Sequence, residues 1–174
     1  MDTRRIWFSR RFQLGLPVEA LPDIVERLRG TPARLEERIH SVRASQLNRR
    51  VGESWSIQEN AGHLLDLEAL WNGRVSDFLE GAAQLRAADL ANQRTWDANY
   101  NAQPIAGVLA TFRSARMALV ARLEQFTTPQ LRVTSLHPRL QQPMTIVDHA
   151  FFVAEHDDHH LARITDLLRG DAAV

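Results

Sequence analysis

Trp55-Ser56-Ile57-Gln58-Glu59-Asn60-Ala61-Gly62-His63-Leu64 opens a helix in a way the sequence makes explicit. Ser56 can cap the first turn, and Glu59 three residues later completes a Ser-x-x-Glu capping box, in which each side chain satisfies a backbone N–H that the helix leaves without a partner. Leu64, Leu65, Leu67, Leu70 and Trp71 follow, so the box predicts a helix over 56–80. Three more stretches carry the same period. Ile24, Leu28, Leu35, Ile39 and Val42 form one apolar stripe in a helix expected within 17–42, which Pro32 should kink or split near Gly30-Thr31. After Pro104, the residues Val108, Leu109, Phe112, Ala115, Leu119 and Leu123 predict a helix over 104–126, stopped by Thr127-Thr128-Pro129. Thr145 and Asp148 form a second box ahead of Ile146, Phe152, Val153, Leu161, Ile164, Leu167 and Leu168, giving a helix over 145–169 that ends at Gly170.

Four long amphipathic helices with little strand signal predict an all-α fold, a four-helix bundle within a single domain spanning 1–174. The links 81–104 and 130–144 are long enough for a crossover connection. Trp96 and Tyr100 give the first the means to cover one end of the bundle, and the second, with Thr134, His137 and two prolines, is placed to close over a site. Val133-Thr134-Ser135-Leu136 is a candidate short strand.

Composition narrows the function. Lys plus Arg and Asp plus Glu both number 21 among 174 residues, which leaves no basic excess to attract nucleic acid or an anionic membrane. No apolar run reaches the roughly 20 residues that span a bilayer, so a cytoplasmic location is expected. Cysteine is absent, which excludes disulfides, thiolate metal sites and a cysteine nucleophile; thiol chemistry would need a thiol from outside the chain.

The candidate chemistry lies in histidines. His156 and His160, in Glu155-His156-Asp157-Asp158-His159-His160-Leu161-Ala162-Arg163-Ile164, stand at i and i+4, about 40° apart around a helix and about 6 Å along it, close enough for both imidazoles to reach one ion. His63, on a separate helix, can supply a third ligand. Three imidazoles on a divalent ion leave positions open for water or substrate, the arrangement of a catalytic site. The plainer alternative stands beside this one: a lone histidine on an apolar helix is more often a hydrogen-bonded core residue, and a His-x-x-x-His pair can share a solvated face with Asp157 and Asp158. His159 points away from the shared face and is expected beside the site instead of in it. His149, two turns before His156, is too far along the axis for the same ion and is expected to line the approach. The His-Glu-x-x-His pattern of zinc proteases is not met, because Asp157 stands where the glutamate would.

The two motifs, Trp55 to Leu64 and Glu155 to Ile164, resemble the second-helix and closing signatures of the DinB superfamily, the DinB and YfiT-like bundles. The resemblance covers most of the chain. It implies a four-helix bundle with a divalent metal, often zinc or nickel, held by His63, His156 and His160, and frequently a homodimer. Some members resemble thiol transferases that conjugate bacillithiol, mycothiol or glutathione to small electrophiles; others resemble maleylpyruvate isomerases or metal-dependent hydrolases. A bacillithiol-type thiol transferase acting on a small-molecule substrate is the expectation that follows, with a hydrolase or isomerase of the same fold, or a non-enzymatic metal- or small-molecule-binding dimer, as the alternatives. Where many members read Gly-Gln after the last ligand, this chain has Leu161-Ala162-Arg163. Arg163 is therefore placed either in a surface ion pair with Asp166 or against a substrate carboxylate. Asn60 and Asp66, flanking His63 at i−3 and i+3, are candidates for capping and solvated roles or for orienting an imidazole.

Overall fold

The computed structural model describes residues 6–171. Four long helices form the bundle, α1 (Leu21–Ile39), α3 (Ile57–Leu79), α5 (Ile105–Leu123) and α7 (Ile146–Asp171); three short ones, α2 (Ala44–Leu47), α4 (Gln93–Asp97) and α6 (Thr128–Leu131), sit in the connections. α1 and α3 each pack against both α5 and α7, so the consecutive long helices α1 and α3 occupy diagonal corners, as do α5 and α7. The crossover allowed by the long links is present. No helix among the described residues is long and apolar enough to cross a membrane.

Both capping boxes form. Glu59 N–H donates to Ser56 Oγ at 3.1 Å while Ser56 N–H donates to the Glu59 carboxylate at 2.8 Å. At the start of α7, Thr145 N–H donates to Asp148 Oδ2 at 3.0 Å and Asp148 N–H to Thr145 Oγ1 at 3.1 Å. α1 runs unbroken through Pro32, so of the kink or split expected near Gly30-Thr31 the split does not occur. The carbonyl of Arg27, near the start of the preceding turn, accepts from Arg34 Nη2 at 3.1 Å and lies 3.1 Å from Thr31 Oγ1, and Thr31 and Pro32 are both buried. Packing of these buried residues thus holds the helix where propensity alone would break it.

Two apolar clusters fill the bundle, and a polar layer separates them. One cluster contains Leu28, Trp71, Val75, Phe78, Leu119, Leu123 and Ala154; the other contains Leu35, Leu64, Phe112, Leu161 and Ile164. Between them each long helix contributes one polar residue: Thr31, Glu68, Arg116 and Asp157, all buried. Arg116 donates from Nε to Glu68 Oε1 at 2.9 Å and from Nη2 to Asp157 Oδ1 at 3.1 Å, and a further bond joins its Nη1 to Asp157 Oδ2. Thr31 Oγ1 donates to Asp157 at 2.9 Å.

The candidate strand is real and belongs to a hairpin. β1 (Thr134–His137) pairs antiparallel with β2 (Gln142–Thr145). The 81–104 link runs along β1, with Leu136 N–H donating to Ala83 O and Leu85 N–H to Leu136 O, each at 3.0 Å. This pairing carries His137 and Arg139 to the end of the bundle where α3 and α7 present their histidines.

Candidate metal centre

His63 from α3 and His156 and His160 from α7 converge. Their ring centroids lie 4.5–5.3 Å apart, and one ring nitrogen from each falls within 4.8 Å of the others. The i, i+4 spacing on α7 does what helix geometry requires, and His63 meets the pair because α3 and α7 pack side by side. All three rings are buried, at 4–6 % exposure.

The surroundings fix how two of these rings are protonated. Thr95 Oγ1 donates its proton to Asp66 Oδ2 at 2.9 Å, so the 3.0 Å contact between the same oxygen and His63 Nδ1 is donated by the imidazole. Nε2 of His63 is left with a lone pair. Asn60 Nδ2 donates to the carbonyls of Ser56 at 2.7 Å and Trp55 at 3.3 Å, which turns its Oδ1 towards His160 Nδ1 at 2.9 Å. His160 is held in the same tautomer. His156 keeps a buried Nδ1 with no hydrogen-bond partner among the described residues. Three clustered imidazoles, two with Nε2 lone pairs facing no protein donor and one with an orphaned nitrogen, match the donor set that a divalent cation requires, down to outer partners that orient the rings.

Asn60 and Asp66 therefore act on the histidines, and capping does not account for them. Thr95 carried no signal in the sequence, because it reaches His63 from α4 across the long link. Tyr100, from the same link, donates to Asp66 Oδ1 at 2.7 Å. Its ring lies flat over Gly62, where a Cβ would stand 2.2 Å from it, so glycine is what allows the link to close on α3.

The cluster opens onto a cavity of about 630 Å3. Trp7, Trp55, Trp71 and Phe152 form much of its wall, with Trp55 4.6 Å from His63 and Trp7 5.0 Å from His156 between ring centroids. His159 lines it beside the triad, 5.2 Å from the His160 ring, and Arg163 lines it as well. His149 does not. It is buried at 1 % exposure between Trp71 and Phe78, with Nε2 3.2 Å from the Trp71 carbonyl, because its side of α7 faces the core just before Phe152, where the cavity begins. Asp157, at the position of the protease glutamate, is held by Arg116 and Thr31 on the far face of α7 and has no access to the site.

Burial holds these imidazoles neutral. It pushes His63 down to about 4, with the charge of His159 adding to the effect, and His149 down to about 3, with Arg74 adding. His137 is pulled to about 3 by burial and by Arg74 and Arg139, and both His156 and His160 fall well below the ordinary histidine range through burial and mutual repulsion. An unfolded histidine takes a proton near pH 6.5. The folded chain resists until pH 3–4, so the stability these groups provide is complete above pH 6.5 and is lost as the pH falls towards 4. In urea titrations of chelator-treated protein, unfolding free energy should fall between pH 6.5 and 4. In His149→Leu the slope should be shallower by up to about 1.4 kcal/mol per pH unit, one proton's worth. An unchanged slope would remove His149 from this account.

Comparison with known proteins agrees with the architecture. Residues 27–164 match the DinB superfamily. The chain belongs to the DinB superfamily. Among solved structures, this DinB-family chain is similar to YfiT from Bacillus subtilis, described as a probable metal-dependent hydrolase with an unusual four-helix bundle topology. The TM-score is 0.81, the sequence identity 21%, and the match covers 94% of each chain. At that identity the likeness establishes the fold of this DinB protein. No curated protein matches the sequence.

Proposed function

We propose that the protein is a divalent-metal-dependent enzyme in which a low-molecular-weight thiol attacks a small electrophile, with His63, His156 and His160 holding the ion, zinc or nickel. The observation that carries the reading is the opening of a buried three-histidine cluster onto a cavity of about 630 Å3, within the size range of small-molecule sites. When bound, such an ion lowers the pKa of a coordinated thiol or water and so supplies a nucleophile at neutral pH.

The chain's own residues supply the rest. Asn60 and the Thr95–Asp66 pair keep Nδ1 of His160 and His63 protonated, so that Nε2 of each stays available. Trp7, Trp55 and Trp71 exclude water and offer flat apolar walls to the electrophile. His159, on the cavity wall, takes the proton that the thiol gives up as its sulfur bonds to the electrophilic carbon and the leaving group departs with its electron pair. With no cysteine in the chain, the thiol is a cosubstrate. Hydrolysis, with water in place of the thiol, is the second reading, favoured by the description of YfiT as a probable metal-dependent hydrolase.

Protein loaded with zinc or with nickel, mixed with bacillithiol, mycothiol or glutathione and chlorodinitrobenzene, should form the conjugate faster than thiol alone, and His63→Ala should remove the enhancement. Release of nitrophenol from nitrophenyl acetate without any thiol would turn the reading to hydrolysis. Neither reaction with any of these metals and thiols would remove the enzyme reading.

A further inference from the structure

The end of the cavity away from the histidine triad carries two arginines, Arg74 and Arg139, that form no ion pair with a carboxylate among the described residues. Arg74, at 1 % exposure, donates from Nε to the Arg86 carbonyl at 3.1 Å, and its Nη1 lies 3.1 Å from His137 Nε2; its Nη2 has no acceptor among the described residues. Arg139, on the turn between β1 and β2, makes no hydrogen bond to any described residue, and its Nη2 is screened from solvent without a partner. Aromatic rings flank both guanidiniums. Arg74 Cζ is 5.5 Å from the Trp71 ring, and Arg139 Cζ is 5.5 Å from Phe8 and 5.9 Å from Phe152. His137, between them, meets Arg74 at Nε2 and the Leu140 N–H at Nδ1, so donors face both of its nitrogens and it takes no second proton.

The nearby carboxylates are already committed. Asp77 is held by Arg86 through bonds of 2.7–3.1 Å, and Asp89 accepts the N–H groups of Ala91 at 2.9 Å and Gln93 at 2.7 Å. Burial pulls Arg74 down to about 10 and lowers Arg139 as well, yet both remain cationic at neutral pH. Asp77 acts on Arg74 at a distance while its oxygens bond Arg86, so the guanidinium groups facing the cavity keep donors to spare, the buried Arg139 Nη2 among them, and an oxyanion placed between the two arginines would take charge-assisted hydrogen bonds from both.

We propose that Arg74 and Arg139 form an oxyanion subsite, so that the substrate is a small molecule with a carboxylate or phosphate at one end of an apolar, preferably aromatic, body whose other end reaches the histidines. The length fits. A single indole, Trp71, separates the two ends, with its ring 5.7 Å from His156 and 5.5 Å from Arg74 Cζ. This inference rests on the cavity being the substrate site, and it does not require the metal.

Naphthoate, naphthyl phosphate and naphthamide should be titrated into chelator-treated protein, with occupancy read from the fluorescence of Trp7 and Trp71 and confirmed by calorimetry. One or both acids should bind about tenfold or more tighter than the neutral amide, the usual scale of a charge-assisted hydrogen bond. Whichever acid binds tighter identifies the anion. Arg139→Met, on a half-buried hairpin turn where the methionine keeps the apolar stem of the side chain, should erase the preference and leave naphthamide binding unchanged, and Arg139→Lys should restore part of it. Acids that bind wild type no better than the amide overturn the subsite without reference to any variant. Acid binding that appears only after zinc is added, and is indifferent to Arg139→Met, would also overturn it, by assigning the anion to the ion. Failure of the metal-dependent reading would leave the preference in chelator-treated protein intact.

Discussion

Zinc or nickel added to chelator-treated protein should raise its melting temperature by about 10 °C, and His63→Ala, His156→Ala or His160→Ala should each abolish the rise. The magnitude follows from linkage. An ion present at about a thousand times its dissociation constant stabilises the fold by about 4 kcal/mol, and in a chain of this length each kcal/mol moves the midpoint by about 2–4 °C. The ion would tie α3 to α7 at one level of the bundle, and unfolding would release it. The outer partners grade the effect. Thr95→Val removes the hydroxyl between His63 and Asp66, and Asn60→Ala removes the acceptor of His160; each should weaken binding by about 10–100-fold while the folded chain remains. His159→Ala should leave about one ion per chain, because its ring lies outside the cluster of ligating nitrogens. A melting temperature indifferent to zinc, nickel and manganese, with no ion retained by elemental analysis, would make the triad a structural set of neutral imidazoles.

What the sequence made legible was whatever short-range geometry decides. The capping boxes at Ser56 and Thr145, the helical stripes and the His156–His160 spacing each follow from residues within two turns of one another, and each stands in the fold as expected. His63 was legible as a candidate because it shares a helix with a recognisable opening. The misplacement of His149 came from extrapolating one stripe beyond the cavity: on a helix buried on several sides, residues a heptad apart face the same direction and still meet different neighbours. Long-range partners left no trace. Thr95 meets His63 across 32 positions and Arg139 reaches the cavity on a hairpin turn, so neither has a local pattern that could have pointed to it. Pro32 did not split its helix for the converse reason, since a tertiary environment of buried side chains overrode a sound local rule.

The polar layer is the largest feature that no periodicity exposed, and Arg116→Met should be the most damaging single change in the chain, lowering unfolding free energy by about 3–5 kcal/mol through the Asp157 carboxylate, joined above neutral pH by that of Glu68, left buried without a cation. One guanidinium faces two acids. Asp157 accepts bonds at both oxygens, whereas Glu68 Oε2 has no partner, and burial pushes Glu68 up to about 7, so the proton in the layer resides there. Because that pKa is raised, the contribution of Glu68 is complete below pH 4.5 and is lost as the pH climbs to 7; Arg116 holds it from rising further, so the variant goes on losing stability above pH 7 and the Arg116→Met deficit should be larger at pH 8 than at pH 5. The combined variant Arg116→Met/Glu68→Leu/Asp157→Leu should regain most of the lost stability, since apolar groups of similar volume leave no charge to solvate, and the Thr31 hydroxyl then has the Arg27 carbonyl as its acceptor. Stability is then separable from placement. Asp157 is adjacent to His156, and its bonds to Arg116 and Thr31 fix the rotation of α7 that turns His156 and His160 towards α3. The triple variant should therefore fold well and bind zinc more weakly than wild type. Wild-type zinc affinity in a stable triple variant would show that packing alone sets that rotation, and a deficit in Arg116→Met below about 1 kcal/mol would show that the layer is solvated instead of buried.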